Sequence, residues 1–423
     1  MRIPRFLMKG FEGFKIIDLK EWLESRGVIE IYLDREDKYI RKCHCCKTPF
    51  NYLAGSKYAL TLRHMPMMGY QVEVRTWRYR GFCPKCSRTR AEYMEIISDE
   101  SPHYTKEYAW WLGRLFEMSA VKKVAEFANE GEMNMWRLDY ARMKRMLRVY
   151  KIPEITHISV DEVYARKKSK YDGESRNEKF FTIICDLKTR RVIWVSKSRD
   201  KKALDEFFII IGSEACKNIK IVCTDEHDSY EASVNEYCPN AIQIFDKFHI
   251  LRNFEEAVND TRKMIHESMP GGSEEKRLSR GKFRFVFLKR ASQRTQEDQT
   301  HVDSLIAINR EFAMLEIIKE RFLSFFYAKD AIEAEDIFIE VGELARKMVF
   351  DPLTQWWKKA QEKLGKFLRY FENKYTSALS EGVNNVIKMI KRRAFGYRNM
   401  DYFKLKIMQV CGYLNSKYVH LEN

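Results

Sequence analysis

The sequence predicts a multidomain α+β protein, and three observations carry that reading. Two Cys-x-x-Cys pairs stand near the amino terminus; the apolar period changes from helical to strand-like just beyond Pro153; and residues 255–370 return almost wholly to helical spacing. At 423 residues, a prior of about 150 per domain gives two to four domains.

Cys43 and Cys46 form one pair, and Cys83 and Cys86 the other, with 36 residues between them. Each turn can aim two thiolates at one ion about 2.3 Å away, and two turns complete a closed tetrahedral zinc site with no open position for chemistry. Segments 58–64 and 70–79 alternate in β-forming residues around a Met68-Gly69 turn, so a hairpin can bring the pairs together. The expected unit is a zinc ribbon, with four unrelated buried thiols as the alternative. His44 and Cys45 rank below Cys43 and Cys46 as ligands because only the latter mirror the second pair.

After Pro102, residues 104–116 follow helical spacing, Ser119 can cap a helix over 120–128, and Asn129 to Gly131 breaks it. Asn134 then caps a basic helix through Arg148 that carries Arg137 and Arg142. Short helix, turn and basic helix outline a helix-turn-helix whose last helix can enter a major groove. The alternative is a three-helix connector with a solvated basic face.

Strands follow at 156–165, 180–186 and 191–197, then a helix at 201–211 and strands at 219–224 and 241–245. That order describes the first half of an RNase H-like sheet: three antiparallel strands, then a helix crossing to a parallel fourth. It places Asp161 within the first strand and Asp225 at the end of its neighbour. Facing carboxylates of this kind suit Mg2+, which takes hard oxygen ligands in phosphoryl-transfer sites. A strand-end surface acid is the competing reading. Asp246 and His249 can be read as sitting at the active-site rim or positioning DNA; the favoured reading is that Asp246 caps the next helix and His249 packs on it.

The helical stretch that follows, interrupted by a turn at 270–273, reads as an insertion before the last helix, 377–394. There Leu379, Val383, Val386, Ile387 and Ile390 form an apolar stripe, with Ser377 as cap. Glu381, Asn385, Lys388 and Arg392 lie opposite it. One acid thus heads a basic column that Lys391, Arg393 and Arg398 extend, with Phe395 and Tyr397 interleaved.

Composition agrees with a nucleic-acid partner. Lys and Arg number 76 against 60 Asp and Glu, a net charge of +16, while 45% hydrophobic content supplies a core. No apolar run approaches the roughly 18 residues that span a bilayer, and charge interrupts the amino terminus before a signal-like stretch forms. The expectation is a soluble, unexported protein without a membrane partner.

Taken in order, HISVDEV at 157–163, CTDEHDSY at 223–230, FDKFHI at 245–250 and SEGVNNVIKMIKRRAFGYRN at 380–399 resemble the successive motifs of the ISL-three family of bacterial insertion-sequence transposases. The resemblance implies a zinc-ribbon domain over 1–100, a helix-turn-helix region over 101–152 and an RNase H-like catalytic core beginning at 153–255. An all-helical insertion over 256–372 and a catalytic helix with a basic segment over 373–423 follow. It makes Asp161, Asp225 and Glu381 a metal-binding triad for two Mg2+ or Mn2+ ions, beside one structural Zn2+. It sets Lys388, Lys391, Arg392 and Arg393 against DNA. The implied activity is recognition of terminal inverted repeats, hydrolysis at the element ends and joining of 3′ ends to target DNA. A homodimer on paired ends, in the bacterial cytoplasm at the nucleoid, would perform it. A zinc-containing DNA-binding regulator with an inactive core and a nuclease that cuts without joining are the alternatives.

Overall fold

The structure, a computed structural model, describes residues 11–22, 27–165, 179–226, 228–373 and 378–420. It is a mixed α+β chain of two compact units, Met1–Lys151 with Asp401–Asn423, and Ile152–Met400. Ser377, expected as a helix cap, and His227 of the second motif lie outside the described residues, as does the side chain of Leu379.

The first unit is built on a six-stranded sheet of β1 (Phe14–Trp22), β2 (Val28–Arg35), β3 (Lys42–Cys43), β4 (Tyr52–Met67), β5 (Tyr70–Cys83) and β6 (Arg88–Tyr93). The order is β1-β2-β5-β6-β3, with β4 also paired to β5. β4 and β5 form the expected hairpin, in which Met68 and Gly69 take φ values of 49° and 86°. Two successive positive φ values match the right-handed twist of the strands they join. One sheet face buries Ile31, Leu33, Leu62, Val72 and Val74 against Phe14, Met94 and Ile96.

Inside this unit Arg35 meets Glu92 through two bonds, Nε to Oε1 at 3.1 Å and Nη2 to Oε2 at 2.9 Å. The guanidinium also donates to Thr76 Oγ1 and Trp77 O, while Tyr79 N donates to Glu92. The pair therefore ties β2, β5 and β6 together with both charges buried and their hydrogen-bonding groups used.

Three helices follow: α1 (Lys106–Met118), α2 (Val121–Ala128) and α3 (Glu132–Val149). The expected caps are displaced. Thr105 caps α1, Ser119 ends α1 rather than starting α2, and Gly131, not Asn134, precedes α3.

The second unit opens with β7 (His157–Tyr164), β8 (Phe180–Asp186) and β9 (Arg191–Lys197), antiparallel in sequence order. Helices α4 (Lys201–Ile211) and α5 (Ser213–Lys217) lead to β10 (Ile221–Thr224), which pairs parallel to β7. Helix α6 (Asp228–Tyr237) leads to β11 (Ile242–Phe245), parallel to β10, and the order is β11-β10-β7-β8-β9. Every strand in the expected series is present, within about two residues of its expected ends.

From α7 (Lys247–Ser268) the chain is helical: α8 (Glu274–Leu278), α9 (Phe283–Leu288), α10 (Gln296–Ile308), α11 (Arg310–Ser324), α12 (Ala331–Arg346), α13 (Pro352–Glu362) and α14 (Leu364–Asn373). These helices share an apolar core with Phe254, Phe287, Phe312, Phe322 and Phe338 at its centre. The core is continuous with Phe245 at the end of β11. Helix α15 (Ala378–Arg393) then returns to pack on β7.

The last helix, α16 (Met400–Cys411), corrects an expectation. Residues 401–423 do not extend the catalytic segment but belong to the first unit. Buried Asp139 on α3 accepts from Tyr402 Oη at 2.5 Å, Lys406 Nζ at 3.0 Å and Gln409 Nε2 at 3.4 Å. A buried carboxylate needs such partners, and they lie some 260 residues away in sequence.

Glu92→Ala should destabilise the first unit by about 3–5 kcal/mol, since it leaves a buried guanidinium without its counter-charge. Replacing both partners by apolar residues, Arg35→Met with Glu92→Leu, should recover most of that loss in a denaturant titration of the full chain.

Candidate active site and metal centre

Strand register decides where the acids stand. β10 pairs with β7 as Ile221↔His157, Val222↔Ile158 and Cys223↔Ser159, so two residues further on Asp225 comes level with Asp161. β11 pairs with β10 as far as Thr224↔Phe245, and Asp246 N donates to Thr224 O at 2.8 Å, which brings Asp246 level with Asp225. Three adjacent parallel strands thus carry three carboxylates at one height, Asp161 within β7 and Asp225 and Asp246 just past the ends of β10 and β11.

The Asp161 carboxyl is raised above its ordinary range by burial and by the negative charges of Asp246 and Asp225; the Glu162 amide and His249 oppose the shift. Glu162 N donates to Asp161 Oδ1 at 2.7 Å and Asn384 Nδ2 to Oδ2 at 2.9 Å. Asp246 caps α7 as expected, accepting from Phe248 N at 3.2 Å. His249 does more than pack on its helix. Its Nε2 faces Asp161 Oδ1 at 3.9 Å and Asp246 Oδ2 at 3.8 Å, while Arg252 donates to Nδ1 at 3.0 Å. Because a guanidinium only donates, that contact leaves the ring proton on Nε2, directed at the acids.

The insertion braces the loop after β10. Lys363 Nζ donates to Glu226 O at 3.0 Å and to Asp228 Oδ1 at 3.3 Å, and Asn253 Nδ2 donates to Glu226 Oε1 at 3.3 Å. Arg369 donates to Gln243 O at 3.2 Å, and the Phe367 ring meets Phe245 edge-on. The segment next to Asp225 is therefore held by one side chain 27 residues downstream and another 137 residues downstream.

On α15, Val383, Ile387 and Ile390 are buried as expected, but Val386 is not, because it lies on the flank turned to solvent. Glu381, Asn385, Lys388, Arg392 and Arg393 are exposed. Lys391 is the exception to the expected DNA-facing set: its Nζ donates to Tyr164 O at 3.3 Å and lies over the Tyr164 ring, which commits it to β7. The α15 side chain that reaches Asp161 is Asn384; Glu381, one turn earlier, makes no ion pair among the described residues. Asn384 stands at the margin of the apolar stripe, where its position on the helix carries no signal of a partner.

In the first unit the four expected cysteines converge. Cys46 and Cys83 Sγ are 3.4 Å apart, Cys46 and Cys86 3.7 Å, and Cys43 and Cys86 3.9 Å. A tetrahedron with arms of about 2.3 Å has edges of about 3.8 Å, so the spacing fits zinc. Cys46 pushes the Cys86 thiol up to about 12, while Thr48 draws Cys46 down to about 6. Cys45 is exposed and outside the cluster, whose first pair is Cys43 and Cys46. Among the described residues this is the one group of three or more such ligands drawn within 4.8 Å of one another; the acids are spread more widely.

Of the two arginines singled out on α3, Arg137 is exposed and lines up with Lys144 and Arg148. Arg142 is turned inward. It pairs with Glu117 at 2.8 Å and donates to Gly113 O at 3.2 Å, in a gap that a Cβ at Gly113 would close. Its guanidinium is spent on joining α1 to α3 and is not presented to a base edge.

Residues 158–407 match the ISL3 model of the DDE transposases, described as a transposase. The chain belongs to the ISL3 family of transposases. It is similar to the transposase for insertion sequence element IS1001 of Bordetella parapertussis, at 24% identity over 94% of this chain and 95% of that protein. A transposase for insertion sequence element IS1557 of Mycobacterium tuberculosis is 24% identical over 60% of this chain and 59% of its own length. Divalent-metal use follows from the family, and no described helix is long and apolar enough to cross a membrane.

Cys83→Ser should release the metal from the cysteine cluster and unfold its surroundings locally. Zinc content should fall from about one ion per chain to a small fraction of that in metal analysis, while the second unit keeps its helical signal.

Proposed function

We propose that this chain binds the terminal inverted repeats of its element, hydrolyses a phosphodiester at each end and joins the freed 3′-hydroxyl to target DNA. The observation that carries the reading is the parallel register that brings Asp161 and Asp225 abreast. Together with the family membership, it supports an RNase H-like core interrupted by the α7–α14 insertion. The preceding zinc ribbon and α1–α3 read as a DNA-recognition module in which Arg137, Lys144 and Arg148 face the duplex.

The donor set suits hard divalent cations, because hard oxygen ligands stand at one level and Asp161 is crowded by like charge. Asp161, Asp225 and Glu381 would hold two Mg2+ or Mn2+ ions, which when bound supply Lewis acidity to the attacking and leaving oxygens. Asn384 and the Glu162 amide fix the orientation of Asp161. His249 keeps a donor directed at Asp161 and Asp246. Lys388, Arg392 and Arg393 lie along the phosphates that flank the scissile bond. Water attacks first and a 3′-hydroxyl second, both in line, so one site serves both steps without a covalent protein intermediate. A homodimer on paired ends would let both ends be cut and joined in one complex.

Asp161→Asn, Asp225→Asn and Glu381→Gln should each lower end cleavage roughly 10²-fold or more while leaving end binding intact. Gel assays with end DNA and Mg2+ measure this, and normal cleavage by any variant removes that residue from the triad. A product cut but never joined would make the protein a nuclease. Binding with no metal-dependent cut would make it a regulator.

Replacing Lys388 and Arg392 with Ala should weaken binding across DNA sequences and reduce the slope of log K against log salt by about one to two units. An unchanged slope returns this helix face to solvent.

A further inference from the structure

The carboxyl end of α15 departs from what helix chemistry alone selects. Gly396 N donates to Lys391 O at 2.9 Å and Phe395 N to Arg392 O at 3.1 Å. These are the paired bonds of a Schellman ending, and they put Phe395 at the left-handed position where glycine is the usual occupant. Its φ is 52°, a region in which a side-chain Cβ is strained. A glycine stands one residue later, at Gly396, where it relieves nothing at the left-handed position before it.

The strain is not offset by packing, since Phe395 is 97% exposed. Single exposed phenylalanines are ordinary on protein surfaces, but this one is held outward by a costly backbone state. Its surroundings are cationic. Arg392, Arg393 and Arg398 are all exposed and make no ion pair among the described residues. The same helix touches Asp161 through Asn384, eleven positions earlier, about 16 Å at the helical rise. A partner that is anionic outside and aromatic inside fits this tip, and duplex DNA has that chemistry.

We propose that Phe395 is a wedge that inserts into the base stack about five base pairs from the scissile phosphate, with Arg392, Arg393 and Arg398 holding the phosphates on either side. Apolar side chains can unstack a base step when neighbouring cations supply the binding. At this left-handed position the ring is 97% exposed and so free to meet a partner. The inference rests on the reading of the chain as a DNA transposase that lays α15 along its substrate.

The test uses the full chain and end duplexes carrying 2-aminopurine at successive positions three to seven base pairs from the cleavage site. Wild-type protein should brighten the probe severalfold at one position. Phe395→Ala should abolish that signal and slow cleavage about tenfold or more, with DNA affinity within about threefold. An abasic site at the responding position should restore cleavage by the Ala variant to within about threefold, and Phe395→Trp should retain the signal. Phe395→Gly should melt at the same temperature or about 1–2 °C higher, yet lose the signal, which separates the wedge from folding. Wild-type fluorescence that stays flat, or an Ala variant that keeps both signal and rate, overturns the wedge. The fluorescence arm reads insertion whether or not the ends are cut, so an absence of cleavage counts against the proposed activity and not against the wedge.

Discussion

The arrangement depends first on one constraint, the shared height at which β7, β10 and β11 carry Asp161, Asp225 and Asp246. Parallel strands advance in step, so once the Ile221↔His157 and Ile221↔Ile242 pairings are set, Asp161, Asp225 and Asp246 have no freedom to stand apart along the sheet. A shift of one residue in either pairing would turn a carboxylate to the other face. The apolar residues that fill these strands resist such a shift. Ile158, Val160, Ile221, Cys223 and Ile244 are buried on one side or the other of the sheet. Packing thus holds in place a group of like charges that electrostatics alone would drive apart.

The remaining elements fix orientation within that height. Asn384 and the Glu162 amide take one oxygen each of Asp161, and His249 presents an N–H to the same carboxylate. The insertion contributes from the other side, since Lys363 and Asn253 hold Glu226, next to Asp225. Inside its aromatic core, Arg294 and Lys319 both pair with Glu316. The insertion therefore adds to the sheet a second wall that the strands lack.

The first unit solves a different problem. It is built around buried charges, Arg35 with Glu92 and Asp139 with Lys406, that are satisfied by residues far apart in sequence. Breaking either pair would leave an uncompensated ion inside, so each acts less as a source of stability than as a demand that the right strands and helices meet. Arg142 belongs to the same class. Its pairing with Glu117 explains why a residue that reads as a nucleic-acid contact on a helical wheel serves to join two helices.

What the sequence determined by itself was everything local or repeated at short range. The cysteine spacing, the Met68-Gly69 hairpin, the five strands of the second sheet and the buried Val383, Ile387 and Ile390 stripe all follow from periodicity and turn chemistry, which act over a few residues. Only the tertiary structure decided which charged side chains face inward. Arg142 and Lys391 lie on helices whose own patterns do not distinguish a solvent face from a face covered by another element. Likewise, Asn384 and His249 meet Asp161 across gaps of 223 and 88 positions, and the terminal helix finds Asp139 across more than 260. The reason is physical. Backbone propensity is settled within a turn or a strand, whereas the partner of a buried polar group is set by whichever distant element arrives beside it.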